Sequence, residues 1–525
     1  MVQNLIKYVT KYRYVEYIYF LCDLYSENYI NFVAIMSQII DNIDNDSDDK
    51  MPGALMSLVP IFVLIAMVSL TILLFGSDSL SGGSQIALLM ASGVCVCISM
   101  WHYGIPWKKF ERSIQQTIGD SSVSILILLV IGMLSGTWMI SGVVPTMIYY
   151  GVQIMSPNLF LFSTCAISSI VSVMTGSSWT TIATIGVALL GIGEALGVPS
   201  PWIAGAIISG AYFGDKMSPL SDTTILASSA SGTDLFQHIR YMLYTTVPTM
   251  AITLIIFLFA GFFFSGVSEV HIDEYTTALD SSFNITLWVL IVPFITALMI
   301  ARRVPSLITL FVSSLAAGLM AVILQSNVLI EISSEENVSA LAIAKGLMMT
   351  FFGSTGVQTG NASVDELVST GGMGGMMDTV WLILCAMCFG ATMIASKMLQ
   401  SLTNTVMSWV KSVVGLVSST VFTGLMLNFT TGDQYISIIL TANMFKKSYK
   451  DKGCESRLLS RTTEDAVTVT SVLIPWNTCG LTQATVLGVP TLSYLPYCFF
   501  NYISPMMTIA VAAINWKLRR KTKTK

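Results

Sequence analysis

Met174-Thr-Gly-Ser-Ser-Trp-Thr-Thr181 and Thr430-Thr-Gly-Asp-Gln-Tyr-Ile-Ser437 stand 256 residues apart, and Met217-Ser-Pro-Leu-Ser-Asp-Thr-Thr224 keeps that offset from Leu473-Ile-Pro-Trp-Asn-Thr-Cys-Gly480. Gly176 then maps to Gly432 and Pro219 to Pro475. Upstream, Gly136-Thr-Trp-Met-Ile-Ser-Gly142 resembles Gly390-Ala-Thr-Met-Ile-Ala-Ser396 at offset 254. One such match is weak. Three in the same order mark an internal repeat, the way many transporters are built.

Composition sets the solvent for that repeat. Of 525 residues, 54% are hydrophobic and 11% charged, where a soluble domain carries about 25% charged residues. Most of the surface must therefore face lipid, and the chain reads as an all-α polytopic membrane protein. Apolar runs of about 20 residues, enough to cross a bilayer of about 30 Å, begin at Ala54, Gln85, Leu159, Pro201, Tyr241, Ile285, Ser306, Ser412, Asp465 and Thr491. Two more, 121–155 and 377–410, are broken near the middle by small polar residues and read as re-entrant helical hairpins. The domain division is repeat 1 over 52–265, repeat 2 over 284–516, and a basic tail over 517–525. Ahead of them lies an N-terminal segment, 1–50. Its first 35 residues hold seven Tyr and read either as an interfacial helix or as an upstream artefact with Met36 as the start.

Basic residues concentrate in cytoplasmic loops. Lys446, Lys447, Lys450, Lys452, Arg457 and Arg461 fill one loop of the second half, whose first-half counterpart has none. Lys108, Lys109 and Arg112, and the tail from Lys517 to Lys525, likewise face counterparts without basic residues. The expectation is two inverted-topology repeats, each of about five transmembrane helices plus a hairpin, with both termini cytoplasmic. Lys345 and Lys411 run against the pattern.

Several classes drop out. No basic stripe tracks a nucleic acid, and Gly-Lys never occurs, which removes the phosphate-cradling loop of ATP-driven pumps. The nine Cys are scattered through apolar runs and the three His share no metal-ligand spacing. No cofactor and no enzymatic constellation is expected.

What stands out is polar residues inside apolar runs. Gly176 followed by Ser177, Ser178, Thr180 and Thr181 suits an unwound helix offering neutral oxygens, although hydroxyls also bond back to the preceding turn. Thr431 and Asp433 occupy the matching place. In Gly214-Asp-Lys-Met-Ser-Pro-Leu-Ser-Asp-Thr-Thr224, Pro219 frees a carbonyl, and an ionisable group within a membrane is costly enough to be a functional candidate. Asp215, Asp222 and Asp433 are therefore the candidate proton and cation carriers, with an Asp215–Lys216 structural pair as the plainer alternative. Thr137, Ser218, Ser221, Thr223, Thr224, Asn477 and Thr478 complete the candidate ion-binding set. Glu464 and Asp465 read equally as a loop salt bridge with Arg461. An oxygen-rich site suits a hard cation, with Asp222, Asp433 and Ser178 as its expected ligands. A carboxylate that holds either a cation or a proton, never both, performs antiport.

The eleven residues from Gly214 to Thr224, preceded by Thr175-Gly-Ser-Ser-Trp-Thr-Thr181, resemble the NhaC family of Na⁺/H⁺ antiporters, and the likeness runs from about Pro52 to Trp516. It implies an ion-transporter-like fold of inverted repeats with paired hairpins, and sodium efflux against proton uptake across a bacterial inner membrane. It also implies a role for the motif residues Asp215, Ser218, Ser221, Asp222, Thr223 and Thr224, with Ser177, Ser178, Thr180 and Thr181. Because the family includes malate and lactate exchangers, organic acids are an alternative substrate. Lys397, near the second hairpin tip and mapped to Val143, is the cation expected to meet their carboxylates. The expected partners are the lipid bilayer, Na⁺ and H⁺; a homodimer is compatible with this reading.

Overall fold

Backbone groups in hydrocarbon have no water to bond, so apolar runs close their hydrogen bonds within helices. The computed structural model describes residues 51–514 apart from 76–81, 265–268, 336–338, 362–363, 366–367, 409 and 411. The readings of segment 1–50, of the basic tail and of Lys411 lie outside the described residues. Among the described residues the structure is helical apart from turns, loops and one isolated bridge between Thr355 and Thr370. Among the described residues, nine helices are long and apolar enough to cross a membrane, or up to eleven if two bent pairs each count as one span.

The repeat is visible in the helix ends. Pro157–Thr175 ends 256 residues before Val413–Thr431 does, and both stop at a glycine in the left-handed region, Gly176 at φ 69° and Gly432 at φ 65°. A residue with a Cβ is strained there. The next residue turns extended and caps a new helix: Ser177 Oγ accepts from the Thr180 N–H at 3.2 Å, and an Asp433 oxygen accepts from the Ile436 N–H at 3.0 Å. Thr175 and Thr181 hydroxyls lie 3.0 Å apart, and their counterparts Thr431 and Ser437 lie 2.8 Å apart. Further on, Ser200–Met217 stops before Pro219 and Asp222–Ser231 starts after it. In the second half the segment from Ser456 to Leu473 stops before Pro475, and Thr478–Leu487 follows. Proline offers no N–H to continue a helix and pushes the residue before it to extended backbone. Even a cross-helix bond is repeated, from Ser172 Oγ to the Ala211 carbonyl at 2.5 Å and from Asn428 Nδ2 to the Val467 carbonyl at 2.7 Å.

Four boundaries differ from expectation. Gly176–Ser177 is a corner between two helices, and Ser178–Ala195 is by itself long and apolar enough to cross a membrane. The run expected from Asp465 begins at Ser456, because Glu464–Thr468 is a π-helical turn inside a continuing element. The hairpins are helix–turn–helix units with unequal arms, Ser122–Ile140 with Val143–Ile154 and Met377–Ala395 with Met398–Ser408. Three of their four bounds, and the left-handed residues Gly142 and Lys397, align at offset 255 rather than 254, so Lys397 is the counterpart of Gly142. Lys108, Lys109 and Arg112 sit on an amphipathic helix, Trp107–Asp120, that buries Phe110.

Close packing positions the polar segments. On Ser200–Met217, a Cβ added at Gly210 would come within 2.8 Å of Ser168 Cβ, and one at Gly214 would meet Ser172 and the Val173 backbone. The helix is therefore pressed onto Pro157–Thr175 by small residues, the usual means of bringing helices together where lipid supplies no hydrophobic drive.

Candidate functional site

Two helix ends and two helix starts converge on Asp215, which is buried in the last turn of Ser200–Met217. Ser178 Oγ, from the first turn after the Gly176 corner, donates to Asp215 Oδ2 at 2.6 Å. Ser221 Oγ, from the cap of the next helix, donates to Oδ1 at 2.6 Å. The Ser221 and Thr223 hydroxyls are 2.9 Å apart, and Thr223 Oγ1 lies 3.1 Å from Glu464 Oε1. Thr224 Oγ1 bonds the carbonyls of Asp215 and Lys216, both at 3.0 Å. The break around Pro219 thus turns three hydroxyls back toward the helix they follow, Ser221 onto the Asp215 carboxylate, Thr223 onto Ser221 and Glu464, and Thr224 onto the main-chain carbonyls.

Lys216 does not pair with Asp215. Its ammonium, fully buried, bonds Asp465 and donates to Ser504 Oγ at 2.9 Å. Asp465 Oδ1 also accepts from Thr245 Oγ1 at 3.2 Å. Arg461, expected in a loop, is fully buried as well, 3.8 Å from Asp465 Oδ2 and 4.6 Å over the Tyr241 ring. The apolar stretch that follows it carries the element into the core, and a π-system is one of few partners a guanidinium finds there. Beside it, His238 Nδ1 lies 2.5 Å from Ser460 Oγ.

Asp433 sits at the other corner. Its carboxylate accepts from the Ile436 N–H, and Ser121 Oγ donates to Oδ2 at 3.3 Å. Gln434 Nε2 donates to the Thr468 carbonyl at 3.1 Å, while Cys479 Sγ is 2.9 Å from Gln434 Oε1. Tyr435 lies within electrostatic reach of Asp222, Asp215 and Asp433.

The structure therefore joins Ser178, Ser221, Thr223 and Thr224 around Asp215. It joins Ser178 to Asp215, not to Asp222 or Asp433. Asp222 is exposed at the start of its helix. Ser177, Thr180 and Thr181 serve the Gly176 corner, Thr181 donating to the Ser177 carbonyl at 2.9 Å. Ser218 Oγ accepts from the Leu220 N–H at 3.2 Å. Thr431 Oγ1 donates to the Asp433 carbonyl at 3.1 Å, and Thr478 N donates to the Gly432 carbonyl at 2.8 Å. Asn477 holds Asn428 and caps its helix. Thr137 bonds back to Met133 and Leu134 of its own helix, the plain alternative for a buried threonine. Sequence reasoning left Lys216 and Arg461 out of the site and held Glu464 and Asp465 open between site and loop salt bridge; charges followed directly by an apolar run were the available signal.

The model of the Na⁺/H⁺ antiporter family matches residues 210–516. The Na⁺/H⁺ antiporter NhaC of Bacillus subtilis is 34% identical over 89% of this chain and 99% of its own. The NhaC of Alkalihalophilus pseudofirmus is 38% identical, covering 77% of this chain and 85% of its own. A malate-2H⁺/Na⁺-lactate antiporter of Bacillus subtilis is 34% identical over 80% of this chain and 87% of its own.

Proposed function

The chain belongs to the Na⁺/H⁺ antiporter family, and on that premise we propose that it is a secondary active transporter that exports sodium in exchange for protons, seated in a bacterial inner membrane with both termini cytoplasmic. The observation that carries the site assignment is Asp215, a buried carboxylate approached by two hydroxyls at 2.6 Å. Those oxygens form a set of hard neutral ligands around one negative charge, the chemistry that suits Na⁺. A proton on Asp215 removes that charge and with it the attraction for the cation, so the two occupants exclude one another. Asp222, exposed near Asp215, supplies a second carboxylate on the approach, and Asp433 supplies one at the opposite corner. Alternating access follows from rocking of one oppositely oriented repeat against the other.

The test is proton flux in proteoliposomes carrying a preset pH gradient. Adding Na⁺ collapses the gradient in wild type, and half-saturation rises as pH falls, because protons compete for the same carboxylate. Asp215→Asn abolishes both effects. Full exchange in both Asp222→Asn and Asp433→Asn would remove those two acids from the assignment.

A second reading, exchange of small organic acids coupled to Na⁺ and H⁺, is favoured by the likeness to the malate and lactate antiporter. Lys397, at the left-handed turn of the second hairpin, is its proposed carboxylate partner. Loss of malate or lactate uptake in Lys397→Ala, with sodium–proton exchange intact, supports that reading.

A further inference from the structure

The groups around Asp215 close a ring. Asp215 is followed in sequence by Lys216, Lys216 bonds Asp465, Asp465 is preceded by Glu464, and Glu464 returns through Thr223 and Ser221 to Asp215. Every member is buried, and Arg461 stands beside Asp465. Glu464 Oε2 is fully buried without a hydrogen-bond partner, as are Asp465 Oδ2 and the Arg461 guanidinium nitrogens, exceptions among buried polar atoms that call for a cause such as a proton or an ion.

Two independent counts describe what is missing. The first is charge. Asp215, Glu464 and Asp465 bring three negative charges against two positive ones from Lys216 and Arg461. An ion buried without compensation is strongly unfavourable. One monovalent positive charge balances the set. The second count is hydrogens. The path Asp215, Ser221, Thr223, Glu464 has three oxygen–oxygen contacts, of 2.6, 2.9 and 3.1 Å. Each hydroxyl owns one hydrogen, so Ser221 and Thr223 supply two. The third must sit on a carboxyl group at one end. A single proton on Asp215 or Glu464 satisfies both counts.

We propose that Glu464 is a second ion-coupling carboxylate, and that Asp215 and Glu464 share one exchangeable monovalent cation, a proton or Na⁺, passed along the Ser221–Thr223 path. With the proton on Glu464, each hydroxyl donates one step toward Asp215. With the proton on Asp215, the hydroxyls reverse and both donate toward Glu464. No bond other than O–H changes, and the total charge is the same. Na⁺ replaces the proton one for one, taking oxygens of Asp215, Ser221, Thr223 and Glu464, so the ring is neutral in either loaded state. Among the described residues, the charged groups facing Glu464 are Asp215 and Lys216 on Ser200–Met217; Arg461 and Asp465 lie on its own element, and from Leu235–Gly261 His238 meets Ser460 while Tyr241 stacks under Arg461. The inference rests on the sodium–proton antiport reading.

The experiment uses the full-length protein, measuring Na⁺-driven proton flux in proteoliposomes and the infrared difference spectrum on adding Na⁺. Wild type is expected to exchange and to lose a protonated-carboxyl band when Na⁺ binds. Glu464→Gln keeps the shape but cannot ionise; flux is expected to fall at least tenfold and the band to vanish. Glu464→Asp restores flux with a displaced pH profile. A purely structural or hydrogen-bonding role would leave the Gln variant active and the pH profile unmoved, and that result overturns the proposal. So does a wild-type spectrum in which no carboxyl band responds to Na⁺, a result that stands even if Glu464→Gln fails to fold. If wild type exchanges no monovalent cation for protons, the antiport reading itself fails and the proposal falls with it.

Discussion

At Gly176–Ser177 and at Gly432–Asp433 the backbone turns the same corner, with a left-handed glycine, an extended cap and a threonine hydroxyl bracing the next helix. The side chains placed on those corners differ. In the first half the cap is Ser177 and the acid, Asp215, stands on the neighbouring helix end, whereas in the second half the acid is the cap itself and Ser471 stands where Asp215 would. Ser178 and Thr223, which serve Asp215, become Gln434 and Cys479, which bond each other. Lys216 becomes Val472. One framework is used twice, and only one copy carries a network of charge and hydroxyl around its helix break. Duplicated backbone supplies two helix breaks of the same form; the network around Asp215 is set at one of them by a handful of side chains.

Making one half resemble the other tests this. Lys216→Val copies the second half but strips Asp465 of its closest cation, and the expected loss is about 3–5 kcal/mol of stability, read as thermal unfolding in detergent. A near-neutral result would mean that the first half does not depend on its buried ion pair. Asp215→Ser copies Ser471 and is expected to cut Na⁺-driven proton flux on the order of 100-fold, about 2.7 kcal/mol, while Ser471→Ala leaves flux within about threefold. Equal effects would erase the asymmetry. Alanine at either corner glycine enters the left-handed region at about 1–2 kcal/mol. Gly176→Ala should cost more than Gly432→Ala, since the new Cβ meets the Leu220 backbone at 2.7 Å in one case and the Ala386 methyl at 2.8 Å in the other. Asp433→Ser keeps a capping oxygen, so unfolding should shift by less than about 1 kcal/mol. A fall in exchange with stability preserved would separate its role as an acid from its role as a cap. Smallest is Lys345→Ala, which removes an exposed pair with Glu335, 2.5 Å long, and should change stability by at most about 0.5 kcal/mol.

Much of this arrangement was legible in the chain itself. The match of Met174–Thr181 with Thr430–Ser437 located both corners, since a glycine followed by a capping residue ends one helix and starts another whatever packs around it. Asp215, Ser178, Ser221 and Thr223 were all named from local pattern, being polar in an apolar setting. How they pair was not. Lys216 stands beside Asp215 in sequence, yet the helix directs it to Asp465, and adjacency along a helix points side chains about 100° apart. Arg461 reads as one of a basic cluster, and only its place above Tyr241 reveals that it left the surface.

By itself, then, the sequence determined a lipid-facing helical protein with a repeat of 256 residues and two pairs of broken helices, because hydropathy, glycine and proline act through the local backbone. Only the tertiary structure decided which acids share a network. Asp215 meets Glu464, 249 positions further along the chain, through two hydroxyls. A contact of that kind depends on how helices approach one another, which here is set by small residues such as Gly210 and Gly214 pressed against the helix before them.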